Sequence, residues 1–530
     1  MMLSIAPIAE ATSPPPGSVF GLFPADGFRL TTGECSDCPT LPQALWFFRR
    51  ETIAVPLPDR AHAGFERHRR ASEDVAAWHA RTPIGSAADH PPLVWIAASQ
   101  SLSEARLSAD GDMIDSADKH FPLALVTRHP LNRAYYDACS TSFFAQRKVD
   151  LRGETYDGRF VVRTFWPGDF RLDAPSVVRD VPPTPIAIRA LAREQAHGGS
   201  QSPFAVERLW QRRGAAPLGE GRPVLGFILN GAQGDDDEAH GGHFAIATGR
   251  IGAQGSMRDW LVANYYTLDS ESEKGILAAP VPLDNYFGDL NSGQSWYRPS
   301  YMIVAVLRDE RTAMHVQSAL GRVYNHFYRH QFSYQHARAN CAGISVSTLR
   351  ALDWQIPAAG PESWLKAVPA LPVVALETRS LTKGKAVFDY LTEDRTRLYP
   401  AVAFEQIGAD LMRLAQQSAD RPLSEFERTL AEDIEEILFV RLPQFPSSRA
   451  WGNYPVASSD EYRERVPKNP EEREIVPVGP RPFPKDFIDP QAPREPPLRS
   501  DYAVAGYAAA FGLLGLLAIR SLLHCLRRTP

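Results

Sequence analysis

The sequence predicts a mixed α+β protein of several domains, with a Pro-rich stalk and one C-terminal membrane helix. Short apolar runs separated by turn residues fill the first third of the chain. Runs with helical and strand spacing alternate in the middle, and the end of the chain is Pro-rich and then apolar. The predicted parts are a flexible leader (1–17), a mainly β domain (18–180), an α+β domain (186–375), a helical region (376–462), a Pro-rich linker (463–500) and a membrane helix (502–523).

The composition excludes some classes of protein. The 530 residues include 57 Lys+Arg and 62 Asp+Glu, which gives a net charge of −5. Nucleic-acid-binding domains normally have a basic surface, so we expect no nucleic-acid partner. Five cysteines in a chain of this length exclude a fold held together mainly by disulfides. Nothing in the composition indicates an oligomeric state.

The predicted β domain rests on three apolar runs and two turns. The runs are rich in aliphatic and aromatic residues, as is typical of strands: PLVWIAAS (92–99), FPLALVT (121–127) and RFVVRTFW (159–166). Asp110-Gly111 and Asp157-Gly158 are typical turn sequences. The second turn directly precedes RFVVRTFW and predicts a β-hairpin.

The middle of the chain alternates between helical and strand patterns. The predicted helices are AIRALAREQA (187–196), AVERLWQRR (205–213), 312–330 and 341–352. The predicted strands are VLGFILN (224–230), HFAIATGRI (243–251), WLVANYYTL (260–268) and YMIVAVLRD (301–309). Residues 376–440 have helical spacing, and LSEFERTLAEDIEEILFVRL (423–442) is the clearest case.

The C-terminal pattern predicts a stalk and a membrane anchor. Ala503–Ile519 contains seventeen residues without a charge, close to the ~20 needed to cross a bilayer core. Arg520 follows directly, and its long side chain can reach the membrane interface. Ten prolines between Pro467 and Pro497 favour an extended linker. At ~3.1 Å per residue, such a linker reaches up to roughly 100 Å.

The orientation in the membrane follows from the flanking charges. Arg520, Arg527 and Arg528 follow the apolar segment, and the positive-inside rule therefore favours a cytoplasmic C-terminus and an extracytoplasmic body. Residues 1–17 do not resemble a signal peptide, because they lack a basic start and Glu10 interrupts their apolar stretch. A tail-anchored protein with a cytosolic body remains the alternative.

Two segments of the middle region could form a catalytic pair. His243 follows two glycines and begins an apolar strand, and Cys341 follows Asn340 where a helix begins. A helix N-terminus favours a thiolate, and an imidazole on a neighbouring strand can accept the proton of the thiol. The free N–H groups of the same helix end can stabilise an oxyanion. The pattern therefore predicts a cysteine nucleophile with a lowered pKa.

These segments resemble the circularly permuted papain-like cysteine hydrolases. That superfamily includes bacterial cell-wall peptidases and amidases and the lecithin-retinol-acyltransferase-like enzymes. GHFAIATG (242–249) is similar to their HWAIYxG-type segment. NCAGISVSTLRAL (340–352) matches their NCEHF-like segment in Asn340 and Cys341 but lacks its His-Phe pair. The aromatic-rich VYNHFYRHQFSYQHARANC (323–341) is also similar, and the resemblance covers residues 220–355.

The resemblance implies a function and roles for three residues. Cys341 is the expected nucleophile, His243 the general base, and Asn264 the side chain that orients the imidazole. His240 is an alternative for either histidine role. The implied reaction is hydrolysis or acyl transfer at an amide or ester of a cell-wall peptide, an acyl lipid or a lipoprotein, without a cofactor or metal. A long stalk favours the cell-wall substrate.

A non-enzymatic function is the alternative, because some members of such superfamilies lose activity and keep the fold. The protein would then be a stalked membrane scaffold or binding protein with an inactive papain-like domain.

Three further groups could bind a metal or react. Cys35 and Cys38 have the spacing of a disulfide or unpaired thiols, half of a metal site, or a redox pair. His326 and His330 share a predicted helix face, but without the Glu of an HExxH motif an aromatic-packed or solvated face is favoured. The acidic run 235–238 could attract a cation, although such runs are usually solvated loops.

Overall fold

The computed structural model describes residues 18–469, with gaps at 39, 87–88, 117–118, 130–131, 133, 181, 183, 194–201, 234–240, 269–276, 448–451, 454 and 466–467. The predicted leader (1–17), the membrane helix (502–523) and most of the linker lie outside the described residues. So do His240 and the acidic run 235–238. Among the described helices, none combines the length and the apolar character that a membrane crossing requires.

The described part of the chain is mixed α+β, as predicted. Its strands are β1 (Val19–Phe20), β2 (Phe23–Pro24), β3 (Phe28–Thr32), β4 (Thr52–Pro56), β5 (Val94–Ala97), β6 (Gln100–Leu107), β7 (Met113–Ser116), β8 (Lys119–Pro122), β9 (Ala124–Leu125), β10 (Val149–Tyr156), β11 (Arg159–Pro167), β12 (Val177–Asp180), β13 (Ala205–Gln211), β14 (Pro223–Asn230), β15 (Ala232–Gln233), β16 (His243–Arg250), β17 (Leu261–Asn264), β18 (Ala279–Pro282), β19 (Ser300–Leu307), β20 (Ile434–Leu442) and β21 (Gly452–Asn453). Its helices are α1 (Pro42–Phe47), α2 (Ala71–His79), α3 (Ala138–Ala145), α4 (Pro185–Arg193), α5 (Leu283–Gly288), α6 (Arg311–Tyr328), α7 (Cys341–Ala351), α8 (Trp364–Glu377), α9 (Leu381–Thr392), α10 (Arg395–Leu398), α11 (Pro400–Ala415), α12 (Glu425–Asp433) and α13 (Ser459–Arg465).

An eight-stranded sheet forms the centre of the fold, in the order β12-β13-β20-β19-β14-β16-β17-β18. Within this sheet β12 and β13 are parallel to each other, and every other pair of neighbouring strands is antiparallel. A six-stranded sheet (β8-β7-β6-β10-β11-β9) and a three-stranded sheet (β3-β4-β5) lie within the first 170 residues. The predicted hairpin is confirmed: Asp157 (φ 48°) and Gly158 (φ 75°) connect β10 to β11 with the two positive φ angles of a tight hairpin turn.

Two predicted helices are wrong. Residues 205–213 contain β13 rather than a helix, and of 423–442 only the first half is helical (α12), whereas the second half is β20. Every residue of β20 except Glu435 is buried, since the strand pairs with β13 on one side and β19 on the other. Burial and pairing on both sides outweigh local helical spacing. The predicted helical region 376–462 therefore also contributes a central strand.

One apolar core joins the first region to the middle region. Its buried side chains extend along the chain from Leu22 to Phe445. Within it, the Asp74 carboxylate on α2 pairs with the Arg322 guanidinium and with His326 Nε2 on α6, each at 2.7 Å. All three side chains are buried. His326 therefore has a structural role.

The remaining candidate groups of the sequence have structural contacts. The His330 ring stacks on Phe47 at 5.7 Å, in agreement with the predicted aromatic packing. Cys35 and Cys38 form a disulfide, which agrees with a structural bridge or a redox pair and not with unpaired thiols or thiol ligands of a metal. Within the described ranges, no three His, Cys, Asp or Glu side chains are grouped so that they could hold a metal ion.

Candidate active site

Strand pairing brings His243 and Asn264 together. His243 is the first residue of β16, and Asn264 is the last residue of the next strand, β17. The two strands are antiparallel, so the start of one lies beside the end of the other. The 21-residue separation along the chain is therefore compatible with direct contact: His243 Nε2 lies 2.9 Å from Asn264 Oδ1.

The hydrogen bonds of Asn264 define the tautomer of His243. Asn264 Nδ2 donates to the Leu277 carbonyl at 3.3 Å, which leaves Oδ1 as the atom that faces the imidazole. An amide oxygen only accepts hydrogen bonds, so His243 Nε2 must hold the proton. The lone pair of the neutral ring is then on Nδ1, which is the nitrogen available as a base.

Cys341 is held at the start of α7 by the cap of that helix. Asn340 Oδ1 accepts a hydrogen bond from the Gly343 N–H at 2.7 Å, and Asn340 Nδ2 donates to the carbonyls of His336 and Leu398. These bonds fix the orientation of the first turn, whose N–H groups have no partner within the helix. The predicted helix start at Cys341 is confirmed.

The thiol of Cys341 lies against the start of the histidine strand. Helix α7 packs on β16. The backbone of Phe244, which follows His243, and the Tyr334 hydroxyl both act on the thiol and favour a lower pKa. The structure thus brings together the two segments that the sequence singled out, and Cys341 and His243 are 2% and 4% exposed.

Burial controls the protonation of both groups. Burial raises the pKa of the Cys341 thiol above 9.0, against the hydrogen bonds from Phe244, Tyr334 and Ala342 and the charge of Arg298, which lower it. Burial also lowers the pKa of His243 to about 3, and the positive Arg298 lowers it further. The resting pair is therefore a neutral thiol and a neutral imidazole. The predicted low-pKa thiolate is wrong, because desolvation outweighs the helix N-terminus.

Arg298 is a site residue that sequence reasoning missed. It is buried just before β19, and its guanidinium donates to Gln294 Oε1 at 2.9 Å and to the Gly231 carbonyl at 3.1 Å. Its charge acts on both Cys341 and His243. Arg298 lies in a loop and belongs to no recognisable sequence motif, so nothing in the sequence singled it out. Tyr334 lies in the aromatic-rich segment that sequence reasoning noted, but the pattern did not distinguish it from its aromatic neighbours.

A cavity of about 960 Å³ opens beside these residues. Cys341, His243 and Arg298 are among the residues that line it. Its aliphatic lining comes mainly from α8, α9, the end of α10 and the start of α11: Pro369, Ala370, Val373, Val374, Ala386, Val387, Leu391, Leu398 and Pro400. Aromatic and polar side chains form the rest of the lining, among them Tyr266, Tyr334, His336, Lys366, Tyr390, Tyr399, Ser459, Tyr462 and Arg463. The site can therefore accept a long apolar group next to a thiol and an imidazole.

Comparison with known proteins identifies no relative of this chain. No protein-family model matches the chain, and no curated protein or solved structure is significantly similar to it.

The protonation of the pair predicts the reactivity of Cys341. Alkylation by iodoacetamide should be slow at neutral pH and should rise about tenfold per pH unit until beyond pH 9, because only the thiolate reacts. Peptide mass spectrometry measures it in the same sample as the exposed Cys139 thiol, which serves as an internal control. A rate at Cys341 that is already constant near neutral pH would contradict the raised pKa.

Proposed function

We propose that this protein is a cysteine-dependent hydrolase or acyltransferase that acts on the ester or amide of an acyl chain in a lipid or lipoprotein. The observation that carries the proposal is that Cys341 and His243 line the same cavity as the aliphatic side chains of α8 and α9. Cys341 would be the nucleophile, His243 the general base and Asn264 the orienting side chain. This arrangement also supports the resemblance to the permuted papain-like hydrolases.

In the first step the Cys341 sulfur attacks the acyl carbonyl carbon while its proton moves to His243 Nδ1. The oxyanion that forms is stabilised by the N-terminal N–H groups of α7 and by the nearby positive charge of Arg298. The intermediate then collapses, the ester or amide bond breaks, and the imidazolium protonates the leaving alcohol or amine. An acyl thioester on Cys341 remains.

In the second step water, or an acceptor alcohol or amine, attacks the thioester. His243 takes the proton of the attacking group, and the carbon–sulfur bond breaks. The proton returns to the sulfur, which restores the neutral thiol. Asn264 keeps the same imidazole orientation in both steps, because its Oδ1 accepts from Nε2 whether or not Nδ1 is protonated.

The cavity favours an acyl chain over a cell-wall peptide. A peptide stem has amide and carboxylate groups that need hydrogen-bond partners once they leave water. The walls formed by α8 and α9 are made largely of proline, alanine, valine and leucine side chains. Each buried CH₂ group of a chain contributes about 0.8 kcal/mol to binding. A long acyl chain therefore fits the α8 and α9 walls better, and the tyrosine, histidine, lysine and arginine side chains in the rest of the lining offer partners to the polar end of such a substrate.

The proposal includes an extracytoplasmic body on a C-terminal membrane anchor. The Cys35–Cys38 disulfide supports this location, since disulfides persist mainly in oxidising compartments.

Filling the cavity should shorten the acyl chain that the enzyme accepts. We expect Ala370→Trp to lower kcat/KM for p-nitrophenyl palmitate by about tenfold or more, because displacing two CH₂ groups costs roughly 1.6 kcal/mol. Turnover of p-nitrophenyl acetate should change by less than about twofold, because a two-carbon acyl group occupies only a small part of a cavity of about 960 Å³. The two esters are compared spectrophotometrically on the same preparation.

Ala76→Trp is the matched control, because Ala76 is exposed on α2, away from the cavity. It should leave both rates unchanged. An equal loss for both esters in Ala370→Trp would count against an acyl site, as would a clear preference for cell-wall peptides in the unmodified enzyme.

A non-enzymatic acyl-binding protein is a second candidate, favoured by the burial of Cys341 and its raised pKa. It predicts that long-chain acyl ligands bind equally well before and after Cys341→Ala, with no turnover in either protein.

A further inference from the structure

Exposed apolar side chains are concentrated on the two helices α8 and α9. Of the large apolar side chains that are exposed in the described part of the chain, most lie on the hairpin formed by α8 and α9. These are Trp364 (57%), Leu365 (89%), Val373 (50%), Leu376 (79%) and Leu381 (63%). Helix α8 has 14 residues, and only Ala367 is buried. A contiguous exposed apolar surface of this kind marks an interaction site.

The exposed residues of α8 form one continuous stripe. Leu365, Pro369, Pro372, Val373 and Leu376 follow the spacing i, i+4, i+7, i+8 and i+11, which places them on one helix face. The other side of α8 packs against α9 at Gly384, where a Cβ would lie 2.4 Å from the Leu371 carbonyl oxygen. The close packing at this glycine holds the stripe outward over about 20 Å.

The charges around the stripe fit a negatively charged surface. Arg379 and Lys383 are exposed at the turn that joins the two helices, whereas Lys366, near the other end of α8, is paired with the exposed Asp460. Glu377 is the one acidic residue of α8. Trp364, at the start of α8, is of the residue type that favours the water–lipid interface. An apolar helix face bordered by lysine and arginine is typical of binding to anionic bilayers.

The end of the described chain lies at the same hairpin. Lys366 on α8 pairs with Asp460 on α13 at 2.8 Å, and Ser459 and Arg463 of α13 line the same cavity as α8. The sequence continues from α13 towards the uncharged segment 503–519, for which we predict a membrane helix. The tether to the membrane thus begins beside the exposed stripe.

We propose that the α8–α9 hairpin is a docking surface for an anionic phospholipid bilayer. Leu365, Val373, Leu376 and Leu381 enter the interface, and Arg379 and Lys383 contact the lipid phosphates. Val373 and Pro369 belong both to the stripe and to the cavity wall, so docking places the cavity next to the acyl chains of the membrane. The surface does not depend on the reaction proposed above and is expected in an inactive binding protein as well.

The test uses the full chain in vesicles of phosphatidylcholine and phosphatidylglycerol. Cys139, Cys341 and Cys525 are replaced by serine, and one new cysteine is labelled with the fluorophore NBD, either at Leu376→Cys or at Ile186→Cys. Ile186 is the matched control, because it is an apolar side chain with a similar exposure (81%) on α4. Quenching by doxyl-labelled lipid and by aqueous iodide is measured for each label.

The label at 376 should be quenched several-fold more by doxyl lipid, and several-fold less by iodide, than the label at 186. Equal quenching by iodide at both positions would overturn the proposal, since the hairpin would then be in water. Protection from iodide at 376 without quenching by lipid would also overturn it, because a protein segment or a second copy would then cover the stripe. Replacement of Cys341 removes catalysis from this experiment, so its outcome is separate from that of the proposed reaction.

Discussion

Replacing Cys341 by alanine should lower the turnover of p-nitrophenyl palmitate by about 10³-fold or more. Without the sulfur no acyl thioester forms, and neither His243 nor Arg298 can replace it as a nucleophile. The protein should remain folded, because removal of one buried sulfur costs only about 1 kcal/mol. Initial rates and urea unfolding curves of the two proteins measure the two effects separately.

The other cysteine and the two partner residues provide the controls. Cys139→Ala should leave turnover unchanged, because that thiol is exposed on α3. His243→Gln should lower turnover by about 10²–10⁴-fold, the usual contribution of a general base. Asn264→Ala should have a smaller effect, since it only orients the imidazole. Wild-type turnover in Cys341→Ala would exclude the proposed mechanism.

Replacing Asp74 by alanine should lower the free energy of unfolding by about 3–5 kcal/mol. The substitution leaves Arg322 and His326 buried on α6 without their common carboxylate. A buried charge without a partner has lost its hydration, and no ion pair or hydrogen bond compensates for that free-energy cost. Because Asp74 lies on α2, its loss also weakens the contact between the first region and the middle of the chain. Urea unfolding followed by tryptophan fluorescence measures the change.

Glu73 is the matched control for this experiment. It is the neighbouring acid on α2, but it forms an exposed pair with Arg70 and accepts the Arg70 N–H at the start of the helix. A surface ion pair and one bond at a helix start contribute little to the free energy of unfolding, so Glu73→Ala should lower it by about 1 kcal/mol. Similar changes for the two substitutions would show that the buried cluster does not stabilise the protein.

The sequence predicted those residues of the site that belong to a strong local pattern. His243 begins a short apolar run of the kind typical of a buried strand, and Cys341 follows an asparagine, a preferred cap at a helix start. Both predictions rely on neighbouring residues alone. Asn264 was predicted from the resemblance to the permuted papain-like hydrolases, and its contact with His243 agrees with the tendency of consecutive strands to pair.

The remaining features depend on contacts between distant parts of the chain. β13 and β20 have sequences compatible with a helix, and they become strands because each pairs with the other. Arg298 reaches the site from a loop with no recognisable pattern. The pKa of Cys341 depends on the depth of burial, which the residues around a cysteine do not reveal. The helical spacing of α8 gave no indication that its apolar face is exposed.

The position of β20 determines when the protein can fold during synthesis. Because β20 lies between β13 and β19, the central sheet cannot close until residue 442 has emerged from the ribosome. Until then β13 and β19 each have an unpaired edge, and such edges invite aggregation and favour chaperone binding. Pairing across more than 200 residues is also slow to form. A nascent chain therefore contains His243 and Cys341 well before the sheet that supports them is complete.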